Sequence, residues 1–183
     1  MPYDNSTAPP PSPVAFAAVV KRTLGDLGLR VILEPGRMIV GNAGVLLTRV
    51  IYVKRAVERT FLIVDAAMND LVRPTLYDAY HEIWPVRQTA PGAQYEVQDV
   101  VGPVCETGDY LALARRLPVC EPGDLLAVMT AGAYGAVMAS TYNSRPLVPE
   151  VLVKGGDYAV VRPRLGVEAL IGLDRLAPWL SKA

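Results

Sequence analysis

Cysteine and histidine are scarce in this sequence, which has two cysteines and one histidine among 183 residues. Because a metal site needs several such side chains at close spacing, we expect no metal site. The two cysteines, Cys105 and Cys120, stand in unlike surroundings and predict no disulfide framework. A chain without disulfides is typical of a reducing compartment, so the sequence predicts a cytoplasmic protein.

An excess of charge of either sign is also lacking, because lysine plus arginine and aspartate plus glutamate number 18 each. There is therefore no electrostatic basis for binding nucleic acid or an anionic membrane. Residues 125–142 carry no charge, but they are rich in alanine and glycine and include Ser140 and Thr141. A strand, a glycine-flanked loop and a second strand explain this run better than a membrane span. The first residues lack the basic and apolar regions of a secretory signal, and we expect none.

The first part of the chain, residues 1–47, has the pattern of one unit of a (β/α)8 barrel. Ser12 predicts the start of a helix, and apolar residues recur at helical spacing until Gly28, which predicts its end. The apolar residues 29–33 predict a buried strand. The polar residues 34–37 follow at the C-terminal end of that strand, where barrel enzymes carry their chemistry. One such unit cannot close a barrel.

Residues 48–183 have a different pattern, with short runs of β-branched or alternating residues between turn signals. The sequence KGGD at 154–157 predicts a hairpin. Two helices are predicted, at 69–80 and 167–180. Regularly spaced strands with few helices predict a mainly β domain, either a sandwich or a barrel. The predicted strands are 48–54, 60–66, 95–101, 110–114, 125–130, 150–153 and 158–161.

Three short motifs are the most specific features. Residues 34–37 read EPGR, residues 132–135 read GAYG, and residues 102–109 read GPVCETGD, which puts a thiol beside a carboxylate in a turn. In this order and spacing they closely resemble the C-terminal part of the diaminopimelate decarboxylase family, which are pyridoxal-phosphate (PLP) enzymes of the alanine-racemase-like fold. The resemblance runs from Pro2 to about Val153. It implies a C-terminal β-sandwich or barrel domain that follows the last helix-strand unit of a PLP-binding (β/α)8 barrel.

The family holds PLP on a lysine in a Tyr-Ala-x-Lys motif, and this sequence lacks that motif. The resemblance therefore implies the C-terminal portion of an enzyme that converts meso-diaminopimelate to L-lysine and CO2, and we expect the chain to be inactive alone. The lysines of the sequence are Lys21, Lys54, Lys154 and Lys182.

The resemblance implies a partial site for PLP in this chain. Glu34 would face the pyridine nitrogen, because a carboxylate there keeps the nitrogen protonated. Gly36 would let backbone N–H groups approach the phosphate, and the Arg37 guanidinium would bind the phosphate or a substrate carboxylate. Tyr134, between two glycines, would reach the phosphate or the substrate. The ordinary alternatives are a Pro–Gly turn with a solvated arginine and a core tyrosine at a bulge.

The resemblance also implies contacts with the distal end of the substrate, which carries one carboxylate and one ammonium. On the helix predicted at 69–80, Arg73 and Tyr77 are four residues apart and share a face. Arg73 would bind the distal carboxylate through two hydrogen bonds, and Tyr77 would add a hydroxyl. Glu106 would pair with the distal ammonium. The ordinary alternative is an exposed arginine and a half-buried tyrosine on a short helix.

Cys105 is implied as the proton donor. After CO2 leaves, the substrate carbon needs a proton, and a thiol with an intrinsic pKa of ~8.5 is a suitable acid. Family members place this loop in the active site of the opposite subunit, so the resemblance implies a homodimer. The ordinary alternative is a small buried side chain, and we expect that of Cys120.

Two alternative functions stay open. A decarboxylase of ornithine, arginine or another basic amino acid has the same fold, but its substrate lacks the distal carboxylate that Arg73 would bind. A non-catalytic dimerisation or regulatory module would explain the missing lysine motif. We interpret residues 143–146 as structural and expect His81 at a helix end or on the surface.

Overall fold

The computed structural model describes residues 10–180, so the predicted start of the first unit and Lys182 lie outside the described residues. The helices are α1 (Pro13–Leu24), α2 (Arg73–Tyr77) and α3 (Val167–Ile171). The strands are β1 (Leu46–Arg55), β2 (Thr60–Val64), β3 (Ile83–Pro85), β4 (Tyr95–Val101), β5 (Tyr110–Pro118), β6 (Leu125–Val128), β7 (Glu150–Lys154) and β8 (Asp157–Arg162).

Six of these strands form one sheet that nearly closes into a barrel. The strand order is β3-β6-β1-β2-β4-β5, and the two outermost strands, β3 and β5, also contact each other. All neighbours are antiparallel except β2 and β4, which are parallel. The predicted mainly β domain of barrel type is confirmed. The remaining pair, β7 and β8, is the hairpin that the Gly155–Gly156 turn predicts.

The core lies inside this barrel-like sheet. Along β1 and β2 alternate side chains are buried, as expected for strands with one face on a core. Leu71, from the turn before α2, is fully buried and belongs to the same core. The fully buried side chains of the core include Val50, Leu62, Val64, Leu71, Val100, Leu126 and Val128.

The strand predicted at residues 29–33 is not formed, and this prediction is wrong. These residues have no regular secondary structure, and the side chains of Leu29, Ile32 and Leu33 are exposed. A parallel barrel strand is stable only between neighbouring strands that satisfy its N–H and C=O groups, and nothing in residues 10–180 pairs with it. The helix before it forms as predicted: the Ser12 side chain accepts a hydrogen bond from Ala15 N at 3.1 Å.

The two helices predicted in the β region are much shorter than their patterns suggest. In place of 69–80, α2 has five residues and ends where Asp78 adopts a left-handed conformation, φ 50°. In place of 167–180, α3 also has five residues and ends at Gly172. Apolar spacing predicts a helical face, but the turns that stop a helix early are local and easily missed.

The uncharged residues 125–142 form β6 and then a series of turns, not the second strand that the sequence predicts. Tyr134 lies in these turns with φ 59°, in the left-handed region of backbone conformation that regular strands do not use. None of the helices among residues 10–180 is both long and apolar enough to cross a membrane.

Candidate functional site

An arginine and a tyrosine of α2 come together beside Gly36 with a second tyrosine from a loop distant in sequence. The Arg73 guanidinium lies 5.2 Å from the ring centroid of Tyr77 and 5.2 Å from that of Tyr134. These distances suit cation–π contacts, which hold a guanidinium in place. Gly36 has φ +58°, and a Cβ added to it would lie 3.4 Å from the Tyr134 hydroxyl. We call Gly36, Arg73, Tyr77 and Tyr134 the arginine–tyrosine cluster.

His81 lies near this cluster and is fully buried, so its predicted surface position is wrong. Its Nδ1 lies 2.8 Å from the Met129 carbonyl oxygen and donates to it in the neutral imidazole. Burial lowers the pKa of His81, and the positive charges of Arg73, Arg115 and Arg37 lower it further, whereas the bond to Met129 opposes the shift. Arg37 and Arg73 therefore both act on one buried group, and the cluster is a region of positive potential.

The glycines at 132 and 135 allow the backbone of this loop to pack closely. A Cβ at Gly132 would clash with the Val40 carbonyl and lie 2.7 Å from Gly44 N. The loop is fastened to the same segment by a hydrogen bond from Ala131 N to Gly44 O, 2.9 Å. This close backbone contact fixes the position of Tyr134 relative to the segment that follows Gly36.

Cys105 and Glu106 form a second, exposed group against a different aromatic residue. The Tyr142 hydroxyl donates to Glu106 Oε2 at 3.2 Å. This hydrogen bond raises the pKa of Tyr142, and the negative charge of Glu106 and the neighbouring Cys105 act in the same direction. Cys120, in contrast, is buried in the core, as the sequence predicts, and burial raises the pKa of its thiol to about 11.

The loop that carries Cys105 and Glu106 is built around a buried carboxylate. Asp109 Oδ2 accepts a hydrogen bond from Val104 N at 2.6 Å, and Oδ1 accepts one from Met68 N at 2.7 Å. The first bond closes the loop on itself, and the second fastens it to the turn before α2. Sequence reasoning assigned no role to Asp109, although an aspartate after Gly108 is a typical turn signal.

The two groups lie on opposite faces of α2. The side chain of Thr75 donates to the carbonyl of Gly108, so the cysteine loop contacts α2 through Thr75. Arg73 and Tyr77, which are in the arginine–tyrosine cluster, lie two residues before and after it. Since successive helical residues turn by about 100°, a residue two positions away points to the other side of the helix.

Arg145 anchors the loop after the GAYG motif, which agrees with the structural interpretation of residues 143–146. Its Nε donates to Asn69 Oδ1 at 2.8 Å, its NH2 donates to the carbonyl of Asp65 at 2.6 Å, and its guanidinium lies 3.6 Å from the Asp70 carboxylate. Burial raises the pKa of Asp70, and Ala67 N and Arg145 oppose the shift. Glu34, the first residue of the EPGR motif, is exposed and has no regular secondary structure.

Comparisons with known proteins agree with one another. Residues 3–132 match the family model described as the C-terminal sheet domain of pyridoxal-dependent decarboxylases. A curated diaminopimelate decarboxylase from Zymomonas mobilis is 51% identical over 97% of this chain and 42% of its own length. One from Aquifex aeolicus is 46% identical over 88% of this chain and 38% of its own length. The chain thus spans about two fifths of the length of these relatives.

Solved structures show the same fold. Diaminopimelate decarboxylase from Helicobacter pylori, crystallised with L-lysine, has a TM-score of 0.83 and 40% identity, and the match covers 93% of this chain and 41% of that one. The enzyme from M. jannaschii has a TM-score of 0.89 at 33% identity, over 98% and 42% of the two chains. An arginine decarboxylase of a Chlorella virus, at 18% identity and a TM-score of 0.64, shares the fold.

Proposed function

This chain belongs to the pyridoxal-dependent decarboxylases, whose C-terminal sheet domain it matches, and we propose that it supplies the substrate-binding part of a diaminopimelate decarboxylase. The reaction converts meso-2,6-diaminopimelate to L-lysine and CO2, a step of lysine biosynthesis in the cytoplasm. The observation that carries the proposal is the arginine–tyrosine cluster. Four residues from three distant segments converge there, around a guanidinium that lies 5.2 Å from the ring centroids of Tyr77 and Tyr134.

The residues beside Gly36 suit one end of PLP. Gly36 leaves open the space that a Cβ would fill beside the Tyr134 hydroxyl, and Arg37 adds a positive charge for a phosphate. Glu34, exposed just before the turn, would face the pyridine nitrogen. When bound, PLP accepts the electrons that are released as the bond to CO2 breaks. The chain's own residues hold and orient the cofactor and the substrate.

Arg73 sets the preference for a substrate with a distal carboxylate. Its contacts with Tyr77 and Tyr134 orient the planar guanidinium, which can then form two parallel hydrogen bonds to a carboxylate. The Tyr77 hydroxyl adds a third. Ornithine and arginine have no distal carboxylate, so a site of this kind would leave Arg73 without its ligand.

Cys105 and Glu106 complete the site of the other subunit in a homodimer. The cysteine loop contacts α2 through Thr75, which lies on another side of the helix from Arg73 and Tyr77, and this separation supports a site that is completed by a second chain. A two-fold dimer removes this difficulty, because each loop then faces the cluster of the partner. There Glu106 pairs with the distal ammonium, and the Cys105 thiol donates a proton to the substrate carbon.

We expect the chain to be inactive by itself. The lysines that the structure describes lie in α1, β1 and β7, which are not the segments of the arginine–tyrosine cluster. Borohydride reduction after addition of PLP, followed by intact-mass measurement, should give no stoichiometric adduct. If one specific lysine is labelled and CO2 is released from diaminopimelate, this expectation is wrong. A non-catalytic dimerisation or regulatory module remains the second candidate.

A chimeric enzyme tests the function. This chain replaces the matching 42% of the Zymomonas mobilis relative, and CO2 release is measured from meso-diaminopimelate, ornithine and arginine. We expect activity on diaminopimelate alone. Arg73→Lys should lower kcat/KM by about tenfold to a hundredfold, because it loses the paired hydrogen bonds and the guanidinium's contacts with the two rings. Arg55→Lys, at an exposed ion pair with Glu96, is the matched control and should change little. An inactive but folded chimera, or one that prefers ornithine, would overturn the proposal.

A further inference from the structure

We propose that Tyr142 is a positioning residue that orients the Glu106 carboxylate for the ammonium of the substrate. This inference rests on the proposed function, since it deepens the role of Glu106. The contact itself is a hydrogen bond of 3.2 Å from the Tyr142 hydroxyl to Glu106 Oε2. On its other oxygen, Glu106 accepts only a long bond, from Gly108 N at 3.4 Å. Tyr142 thus supplies the shorter of the two bonds that fix the rotation of this exposed carboxylate.

Tyr142 is held in place from both sides. On one side, Ser140 N donates to the Asn69 carbonyl at 2.9 Å. On the other side, the Arg145 guanidinium donates to Asn69 Oδ1 and to the Asp65 carbonyl. The short segment between these two anchors is therefore held at both ends, which fixes the backbone position of Tyr142.

The loop of Glu106 is hydrogen-bonded to the same segment, residues 65–70, that anchors the loop of Tyr142. Asp109, which closes that loop, accepts from Met68 N at 2.7 Å. Residues 65–70 therefore anchor both the loop of Tyr142 and the loop of Glu106, and the two side chains meet above them. Because two anchored loops meet through one side-chain bond, that bond sets the orientation of the more flexible partner, the glutamate.

The backbone after Tyr142 supports a specific role for this turn. Asn143 and Ser144 have φ values of 59° and 57°, so two consecutive residues that are not glycine are left-handed. Such conformations are unfavourable and persist where the surrounding structure enforces them, often at functional sites. Here they reverse the chain directly after Tyr142 and bring Arg145 back to its anchor.

The chemical consequence is limited to one end of the substrate. Without the hydroxyl, the Glu106 carboxylate can rotate away from the ammonium, which weakens binding but leaves the reacting carbon and Cys105 in place. Tyr142→Phe should therefore raise KM for diaminopimelate by about two- to tenfold, with kcat little changed. The Ki of 2-aminopimelate, which has the distal carboxylate but no distal ammonium, should not change.

A double-mutant cycle in the chimeric enzyme decides the proposal. Tyr142→Phe should have no further effect in a Glu106→Gln background, because it acts through that carboxylate. Tyr158→Phe, at an exposed tyrosine of the hairpin, is the matched control. Full additivity of the two changes, or an unchanged KM in Tyr142→Phe while Glu106→Gln is impaired, would overturn the role of Tyr142. If Glu106→Gln itself has no effect, the proposed function of Glu106 fails and the role of Tyr142 fails with it.

A second measurement tests the contact in the 183-residue chain without any catalysis. The ultraviolet absorbance change of tyrosine ionisation is titrated in the parent chain and in Tyr142→Phe, and the difference between them is the signal of Tyr142. The same difference is then measured in the Glu106→Gln background. We expect this signal to titrate at a higher pH when Glu106 is present. Equal titration in both backgrounds would contradict the hydrogen bond and overturn the positioning role.

Discussion

Burial, more than neighbouring charge, determines the protonation of His81. The side chain is fully buried and donates to the Met129 carbonyl, with Arg73, Arg115 and Arg37 close enough to act on it. The positive charge of each arginine disfavours protonation of the His81 imidazole. The imidazole is therefore neutral at neutral pH and adds no positive charge beside these three arginines.

His81 should make the stability of the chain depend on pH. Its folded-state pKa is below the unfolded value of 6.5, so the unfolded state binds more protons below that pH. Stability is therefore fully present above pH 6.5 and is lost as the pH falls through the folded pKa. His81→Asn should cost about 1–3 kcal/mol at pH 7.5 but remove this pH dependence. The free energy of unfolding is measured with urea at pH 7.5, 6.5 and 5.5 for the wild-type chain and for His81→Asn, at one protein concentration. If both proteins lose stability in parallel as the pH falls, His81 is not the source of the pH dependence.

The short helix α2 organises both proposed groups of the site. Arg73 and Tyr77 lie on one of its faces, and Thr75 contacts the cysteine loop from the other. Only five residues long, α2 has little stability of its own and depends on its packing. Its fully buried neighbour Leu71 and the anchored turn at residues 65–70 supply that support.

The loop of Tyr134 should be sensitive to a single added methyl group. In Gly132→Ala the new Cβ would meet the Val40 carbonyl and the backbone of Gly44, which cannot both move without separating the two segments. We expect a loss of about 1–3 kcal/mol in the free energy of unfolding. Gly25→Ala, where nothing lies within 4 Å of the new Cβ, is the matched control and should be neutral or slightly stabilising. Equal melting temperatures for the two variants would contradict this packing.

Local patterns predict the elements that local interactions stabilise. The Ser12 cap, the Gly155–Gly156 hairpin and β4 occur where the sequence predicts them. The strand at 29–33 fails because its pattern needs partners from elsewhere, and β3 was missed because three residues carry no periodicity.

The candidate site was predictable only where its motifs have a chemical rationale. The family resemblance identifies Arg73 and Tyr134, and the fold brings these two into contact. No spacing rule indicates that Tyr142 meets Glu106 or that Asp109 holds the loop, because such contacts depend on how loops distant in sequence pack.

At the scale of the whole molecule, apolar surface lies outside the barrel-like sheet. Large apolar side chains are exposed on α1, along residues 29–40 and on both strands of the β7–β8 hairpin. Large exposed apolar patches usually mark an interface. The chain spans about two fifths of its curated relatives, and the remainder of such an enzyme is the partner that we propose for this surface.

The purified 183-residue chain should therefore self-associate. Sedimentation velocity should give a mass above that of the monomer that increases with protein concentration. Leu29→Glu combined with Ile32→Glu should reduce this association, because both side chains are exposed. Tyr52→Glu, also exposed but on β1, serves as the control for added charge. A strictly monomeric wild-type chain at all concentrations would contradict the prediction.

Mixed dimers test the central claim, that each chain contributes its arginine–tyrosine cluster to one site and its Cys105 loop to the other. One chimeric subunit lacks the lysine that holds PLP, and the other carries Cys105→Ala. If the sites are shared between subunits, a purified heterodimer contains one intact site and should recover about half of the wild-type activity, although both parent homodimers are inactive. A verified heterodimer that remains as inactive as its parents would show that cluster and cysteine belong to the same subunit's site, and would contradict the account.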